Sequence, residues 1–349
     1  YLPAGRVSAG LPRADGEHGA WGLCMTWWVR LSKGLFWGMA ALVVGLLVAA
    51  VVYRDHPVAA VEKRWAKPPS QFVIVDGVRL HYREEGSGPP VVLLHANYAS
   101  LFMWEPWATA LKDRYRVIRV DLPAHGLTGP EPSGDYSLQR IQSLFEQFVD
   151  ARGLERFVVV GTSIGGTVAM RYAADHPDRI ERLVMISPGS LESRVRGRTT
   201  PANVPKIADL LAWVTPRAFT AYLLRNDYGD PARVTDAVID EWYLMWMREG
   251  NRQAMIDLLR QYVSGGVEAK IRSIRVPVLL MWGERNKRVP LSLAYETRAL
   301  LENSPAVQLE VLPGIGHMLV QEAPQQSAAV IRRYLDTPLE LKTAATASP

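Results

Sequence analysis

Hydrophobic and polar positions divide this chain into stretches of different period. Residues 35–53 carry no charge and are apolar on every side. A helix of about 20 such residues crosses the hydrocarbon core of a bilayer. Residues 72–82 form two alternating runs around Asp76-Gly77, which predict a β-hairpin with a two-residue turn. Val91-Val-Leu-Leu-His95 is a fully apolar run, as expected of a strand inside a parallel or mixed sheet. Strand-like and helix-like segments then alternate. Strands are predicted at 115–121, 157–160, 180–187, 276–282 and 307–312, and helices at 137–151, 164–176, 291–301 and 325–335. This alternation predicts an α/β fold: an open, mostly parallel central sheet with helices on both faces. Ligands in such sheets bind beyond the carboxyl ends of the strands.

The segment 191–270 has a different texture. Pro201, Pro205, Pro216 and Pro231 break it, and its apolar residues are large: Leu210, Leu211, Trp213, Tyr222, Trp242, Met245, Trp246. It reads as a helical cap inserted after the sixth strand. Most of these side chains pack the cap on the core, and a few line an apolar pocket. The pocket candidates are Trp213, Trp242 and Trp246 from the cap, with His95, Tyr98 and Met318 from the core.

The N-terminal apolar run reads as an uncleaved anchor through residues 35–53. A cleaved signal peptide is the competing reading, since Val48-Ala49-Ala50 and Val58-Ala59-Ala60 end in small residues. Basic residues lie on both sides of the run, so the positive-inside rule gives no vote. An anchored folded domain on the extracytoplasmic (periplasmic) side is expected. Residues 1–24 are rich in Gly, Ala and Pro, and Met25 opens a basic stretch; 1–24 is read as disordered upstream or appended sequence. The divisions are therefore 25–56 anchor, 57–70 linker, 71–190 with 271–336 core, 191–270 cap, and 337–349 tail.

Composition narrows the function classes. With 349 residues and a net charge of +5 spread along the chain, no basic face with interleaved aromatics appears, so nucleic acid is not an expected partner. Cys24 is the single cysteine, which excludes an internal disulfide framework and a cysteine metal cluster. No metal or organic cofactor is expected, and the oligomeric state is not legible.

The chemistry centres on Gly161-Thr162-Ser163-Ile164-Gly165, between an apolar strand and a small-residue helix. A strand–turn–helix with G-x-S-x-G pushes the serine Oγ out over the sheet edge. Gly161 and Gly165 leave room where a Cβ would strike neighbouring backbone. The N–H of Ile164, at the helix N-terminus, can donate to an oxyanion. The plainer alternative is a glycine-rich turn with an incidental serine.

Four further segments stand in order around this one: His95-Ala96-Asn97, Asp121-Leu-Pro-Ala-His-Gly-Leu-Thr128, Trp282-Gly-Glu-Arg-Asn-Lys-Arg-Val-Pro290, and Gly316-His-Met-Leu-Val-Gln-Glu-Ala-Pro324. With these five segments the chain resembles the α/β-hydrolase superfamily across 72–335, and most of all its cap-bearing serine esterases, lipases and meta-cleavage carbon–carbon hydrolases. The resemblance implies Ser163 as nucleophile, His317 as base, and backbone N–H groups of Asn97 and Ile164 as oxyanion donors. His95, His125 and Asp121 are expected to be loop ties. Asp-nucleophile relatives, the haloalkane dehalogenases and epoxide hydrolases, are disfavoured by the serine.

Two departures bear on mechanism. Ala96 and Ala124 replace glycines, and Asn286 stands where the family has the triad aspartate. Asn286 could accept the His317 Nδ1–H through Oδ1, and Glu284 or Glu192 could supply a displaced carboxylate. The expected function is carboxylic ester hydrolysis by a serine esterase or lipase acting on an apolar acyl substrate. A meta-cleavage-product C–C hydrolase is the alternative within enzymes. A catalytically weakened ligand-binding protein on the same fold is the alternative from another class.

Overall fold

A computed structural model describes residues 17–191, 203–263 and 267–338. The chain divides into two units, Tyr1–Val52 and Tyr53–Pro349. The first holds helix α1, Glu17–Val52, of 36 residues. Its Lys33–Val52 portion has a mean hydropathy of 2.6 and buries none of its length. That single apolar helix is long enough to span a membrane. The helix starts at Glu17, well before the apolar run, so it takes in residues the sequence had set outside the fold.

The second unit is an α/β fold. Eight strands form one sheet in the order β1-β2-β4-β3-β5-β6-β7-β8. They are β1 Ser70–Val75, β2 Val78–Glu85, β3 Pro90–Leu94, β4 Arg116–Val120, β5 Phe157–Thr162, β6 Ile180–Ile186, β7 Val278–Gly283 and β8 Val307–Leu312. The pairs β1–β2 and β2–β4 are antiparallel, and all others are parallel. The predicted hairpin forms, with Asp76 at φ +45° and Gly77 at φ +79° closing a turn that pairs Val75 with Val78. The central strands β3, β5 and β7 are apolar and buried through nearly their whole length, because helices cover both faces. Helix α3 (Glu105–Leu111) packs on α13 (Pro324–Asp336), and Trp107 Nε1 donates to Ser327 Oγ at 2.9 Å between them. Helix α4 (Leu138–Ala151) packs on α5 (Ile164–Asp175).

The region expected as a linker at 57–70 is structured. Helix α2, Val58–Trp65, buries Val61 in a small cluster with Leu101, Phe102, Leu127 and Met245. Ala59, Ala60, Glu62, Lys63 and Arg64 favour a helix, and Val61 docks it together with Trp65, whose ring lies 5.0 Å from that of Phe102.

The cap lies between β6 and β7, as expected. It contains α6 (Leu210–Trp213), α7 (Arg217–Asp227), α8 (Asp236–Trp246), α9 (Asn251–Gln261) and α10 (Glu268–Arg272). The segment entering the second unit is fastened to this cap. His56 N donates to Met247 O at 2.6 Å, and Glu249 N to His56 O at 2.9 Å. Buried Arg252 donates to Tyr53 O at 2.7 Å and to Asp55 at 2.9 Å.

Candidate active site

Ser163 lies at the sharp turn between β5 and α5 with φ +54° and ψ −116°, a conformation costing about 1–3 kcal/mol for a non-glycine residue. Neighbouring backbone holds it there. Ser163 N donates to Ile186 O at 3.0 Å, and its carbonyl accepts from Gly189 N at 3.2 Å. A Cβ on Gly161 would stand 2.1 Å from Gly165 O, and one on Gly165 would stand 2.4 Å from Leu94 O and 2.6 Å from His95 O. These obstacles are backbone atoms, so no rotamer change relieves them. Gly165→Ala is expected to lower unfolding free energy by about 2–3 kcal/mol in a urea titration, or to prevent folding.

The loop after β3 is tied down by two histidines. His95 is fully buried; its Nδ1–H donates to Ala96 O at 2.8 Å and its Nε2 accepts from Leu122 N at 2.9 Å. Those bonds define a neutral ring. Burial pushes its pKa down against the pull of Asp121 and Ala96 O. His125 is pushed down to about 3 by burial and by His95 beside it. Its neutral ring can donate to Pro123 O at 2.9 Å or to Asn97 Oδ1 at 2.8 Å, one at a time. Asn97 Oδ1 also accepts from Tyr98 N at 3.0 Å, so this side chain is bound into the loop. Ala124 takes φ +72°, keeping a left-handed conformation despite its Cβ.

Asp121 starts the neighbouring loop with no exposed surface. Its carboxylate accepts from Leu101 N at 2.7 Å, Leu127 N at 2.8 Å and His81 Nδ1 at 2.7 Å. Burial raises its pKa, but the bond and charge of His81 with the other donors outweigh that and hold it below the ordinary carboxylate range. A group depressed in the folded state contributes stability above its unfolded pKa and loses it as pH falls through the folded value. Asp121→Asn is therefore expected to cost about 3 kcal/mol in urea unfolding at neutral pH. The deficit should shrink when the comparison is repeated in strong acid.

His317 follows β8 and is buried with Asn286, which follows β7. The structure brings these two together, with Asn286 Nδ2 3.1 Å from His317 Nδ1. The polarity is the reverse of the sequence expectation. Asn286 Oδ1 already accepts from Arg288 N at 3.1 Å and Val289 N at 2.9 Å. Rotating the amide would aim its NH₂ at two backbone N–H groups, so the oxygen stays on the loop and the nitrogen faces the ring. An Nδ1 that accepts a hydrogen bond puts the proton of neutral imidazole on Nε2.

Of the other acid candidates, Glu284 is turned to a neighbouring loop. Glu284 is exposed, and its Oε2 accepts from Gly314 N at 2.8 Å. Glu192 lies outside the described residues. Two groups the sequence reading did not single out organise the histidine loop instead. Glu322 accepts from Gly316 N at 2.7 Å, Gly229 N at 3.0 Å and Asp230 N at 2.8 Å, joining that loop to the cap. Asp227, at the end of α7, accepts from Arg288 side-chain nitrogens at 2.8–3.0 Å, and its carbonyl accepts from His317 N at 2.6 Å. The Glu-X-Pro segment after His317 was the available signal for Glu322; nothing local in sequence marked Asp227.

An apolar cavity of about 140 Å³ lies within the cap, lined by Tyr98, Leu211, Phe219, Trp246, Met255 and Ile256 among others. Trp246 Nε1 donates to Tyr98 O at 2.6 Å, placing the cavity wall next to the loop after β3. Of the pocket candidates, Tyr98 and Trp246 line it. Trp213 does not, being 71% exposed on a four-residue helix too short to bury it. Trp242 and Met318 pack in the core, and His95 is spent on its loop. Among the described residues, no three His, Cys, Asp or Glu side chains gather as a metal site.

The α/β hydrolase fold family matches residues 89–324, so this chain belongs to the α/β hydrolases. It is 26% identical over 293 residues to the 2-hydroxy-6-oxo-6-(2'-aminophenyl)hexa-2,4-dienoic acid hydrolase of Metapseudomonas resinovorans, covering 81% of this chain and 97% of that one. It is also 26% identical over 272 residues to the monoacylglycerol lipase abhd6-B of Xenopus laevis, covering 72% and 77%. A crystal structure of a bacterial membrane phospholipase A shares the fold with a TM-score of 0.62 at 24% identity, covering 88% of this chain and 98% of that one.

Proposed function

We propose that this α/β hydrolase is a serine esterase of the lipase type, acting on an uncharged acyl ester through an acyl-enzyme on Ser163. The observation that carries the reading is the strained Ser163 at the β5–α5 turn, with Gly161 and Gly165 cleared for it. Ser163 Oγ attacks the ester carbonyl while His317 Nε2 takes its proton. The N–H groups of Asn97 and Ile164 receive the negative charge on the carbonyl oxygen. His317 then returns the proton to the departing alcohol, and water repeats the cycle on the acyl-enzyme. The acyl chain occupies the cavity beside Tyr98 and Trp246.

The Asn286 bond opposes this cycle, because it favours the tautomer whose Nε2 already holds a proton. The enzyme therefore works below the rate its fold permits. The meta-cleavage relatives share the serine machinery, but this cavity offers little to an anionic dienoate. Among the described residues that line it, the one cation, Arg252, is spent on Asp55 and Tyr53 O. The apolar helix α1 anchors the chain, with the hydrolase unit on the extracytoplasmic side.

A ladder of p-nitrophenyl esters tests the substrate class. kcat/KM is expected to rise at least about tenfold from acetate to butyrate, since each methylene in an apolar pocket is worth about 1–3 kcal/mol. A profile that is flat in chain length, with turnover of a dienoate C–C substrate, would move the assignment to the meta-cleavage class.

A further inference from the structure

Outside helix α1, eight large hydrophobic side chains of the described residues stand exposed, and six of them fall between residues 207 and 222. They are Ile207 (71% exposed), Leu210 (61%), Leu211, Trp213 (71%), Val214 and Tyr222 (65%). The remaining two, Ile74 and Tyr295, are scattered singly, which is ordinary for a protein surface. A concentration of this kind in one stretch of cap marks an interaction surface.

We infer that residues 207–214 of the cap, with Tyr222 beside them, dock on the interfacial zone of a lipid bilayer and open the acyl cavity towards it. This deepens the ester-hydrolase reading and rests on it. Three observations favour a bilayer over a protein partner. Leu211 is exposed on the patch and also lines the cavity, so the patch and the acyl site share a wall. Trp213 and Tyr222 pair an apolar ring with a polar tip, the chemistry that settles at the headgroup boundary. Arg252, another cavity residue, grips Tyr53 and Asp55, the residues that directly follow the apolar helix ending at Val52. The segment that follows the apolar helix in sequence is thus held on the cap. Exposed Lys206 and Arg225 flank the stretch and suit anionic headgroups.

Full-length protein with Cys24→Ser carries no other cysteine, so a single NBD label can be introduced at Trp213→Cys, Leu42→Cys or Ile74→Cys. Each is reconstituted in phosphatidylcholine–phosphatidylglycerol vesicles with and without doxyl-labelled lipid. The label at 213 is expected to be quenched at least about twofold by shallow doxyl groups, and the label at 74 left unquenched. In parallel, Ile207→Ser with Leu210→Ser should lower hydrolysis of a vesicle-embedded lipid ester at least about tenfold and leave p-nitrophenyl acetate turnover unchanged. Quenching at 42 with none at 213 would overturn the docking and keep the anchor. Quenching at 213 with none at 42 would keep the docking and remove the anchor. Crosslinking of label sites at 213 between two copies, without lipid quenching, would assign the patch to self-association and overturn the proposal. Loss of p-nitrophenyl acetate turnover in unaltered protein would count against the ester reading, independently of the quenching result.

Discussion

Asn286→Asp is expected to raise kcat/KM on a p-nitrophenyl ester by about 100-fold, equivalent to ~2.7 kcal/mol of transition-state stabilisation. An aspartate at 286 keeps one oxygen on Arg288 N and Val289 N, as Asn286 does now. Its second oxygen replaces an N–H donor 3.1 Å from His317 Nδ1 with an acceptor. The ring then carries its proton on Nδ1 and leaves Nε2 bare for its proposed role as base to Ser163. The new charge also favours the imidazolium that forms as Ser163 attacks. In a serine protease with a Ser-His-Asp triad, the opposite change from Asp to Asn lowers kcat by about 10⁴, through the same tautomer. The smaller figure here reflects the Asp227–Arg288 pair next to the site, whose guanidinium already offsets part of any added charge. The acid limb of the pH–rate profile should move to higher pH, because a carboxylate favours protonated imidazole. An unchanged rate and profile would mean that the site draws its acid from elsewhere, and Glu192→Gln then becomes the informative variant.

Ser163→Ala is expected to remove ester turnover by at least about 10³-fold, since a residual rate over water comes only from oxyanion donors and binding. Stability should hold, because alanine keeps the same Cβ and with it the same positive-φ backbone. Urea unfolding run beside the kinetics separates the two effects. Equal losses of activity and stability would point to a misfolded elbow instead of a missing nucleophile.

Much of this molecule was legible before its structure. The periods of the apolar runs placed β3, β5, β7 and β8 and the helices between them, because buried strands and two-faced helices leave different spacings. The Asp76-Gly77 turn announced its hairpin, since two consecutive left-handed residues suit few other pairs. What escaped was decided by tertiary partners. Helix α2 looks like linker in sequence because its eight residues hold only Val58, Val61 and Trp65 as large apolar positions, too short a run to establish a period. Trp213 was read as pocket lining because its type suits a pocket; its four-residue helix instead leaves it outside. The identity of Asn286 was plain, but its orientation depended on two backbone N–H groups that only the folded loop presents. Asp227 reaches His317 N, and Glu322 reaches Gly229 and Asp230 of the cap, across roughly ninety residues of sequence, a separation at which no local pattern reports contact.

The most direct test of the account is the attachment site of a fluorophosphonate probe. The probe reacts only with a serine whose Oγ is activated and whose oxyanion is received. After tryptic digestion, tandem mass spectrometry should find the phosphonyl adduct on Ser163, with none in Ser163→Ala and faster labelling in Asn286→Asp. An adduct on another serine, or labelling undiminished in Ser163→Ala, would contradict the assignment of Ser163 as the nucleophile.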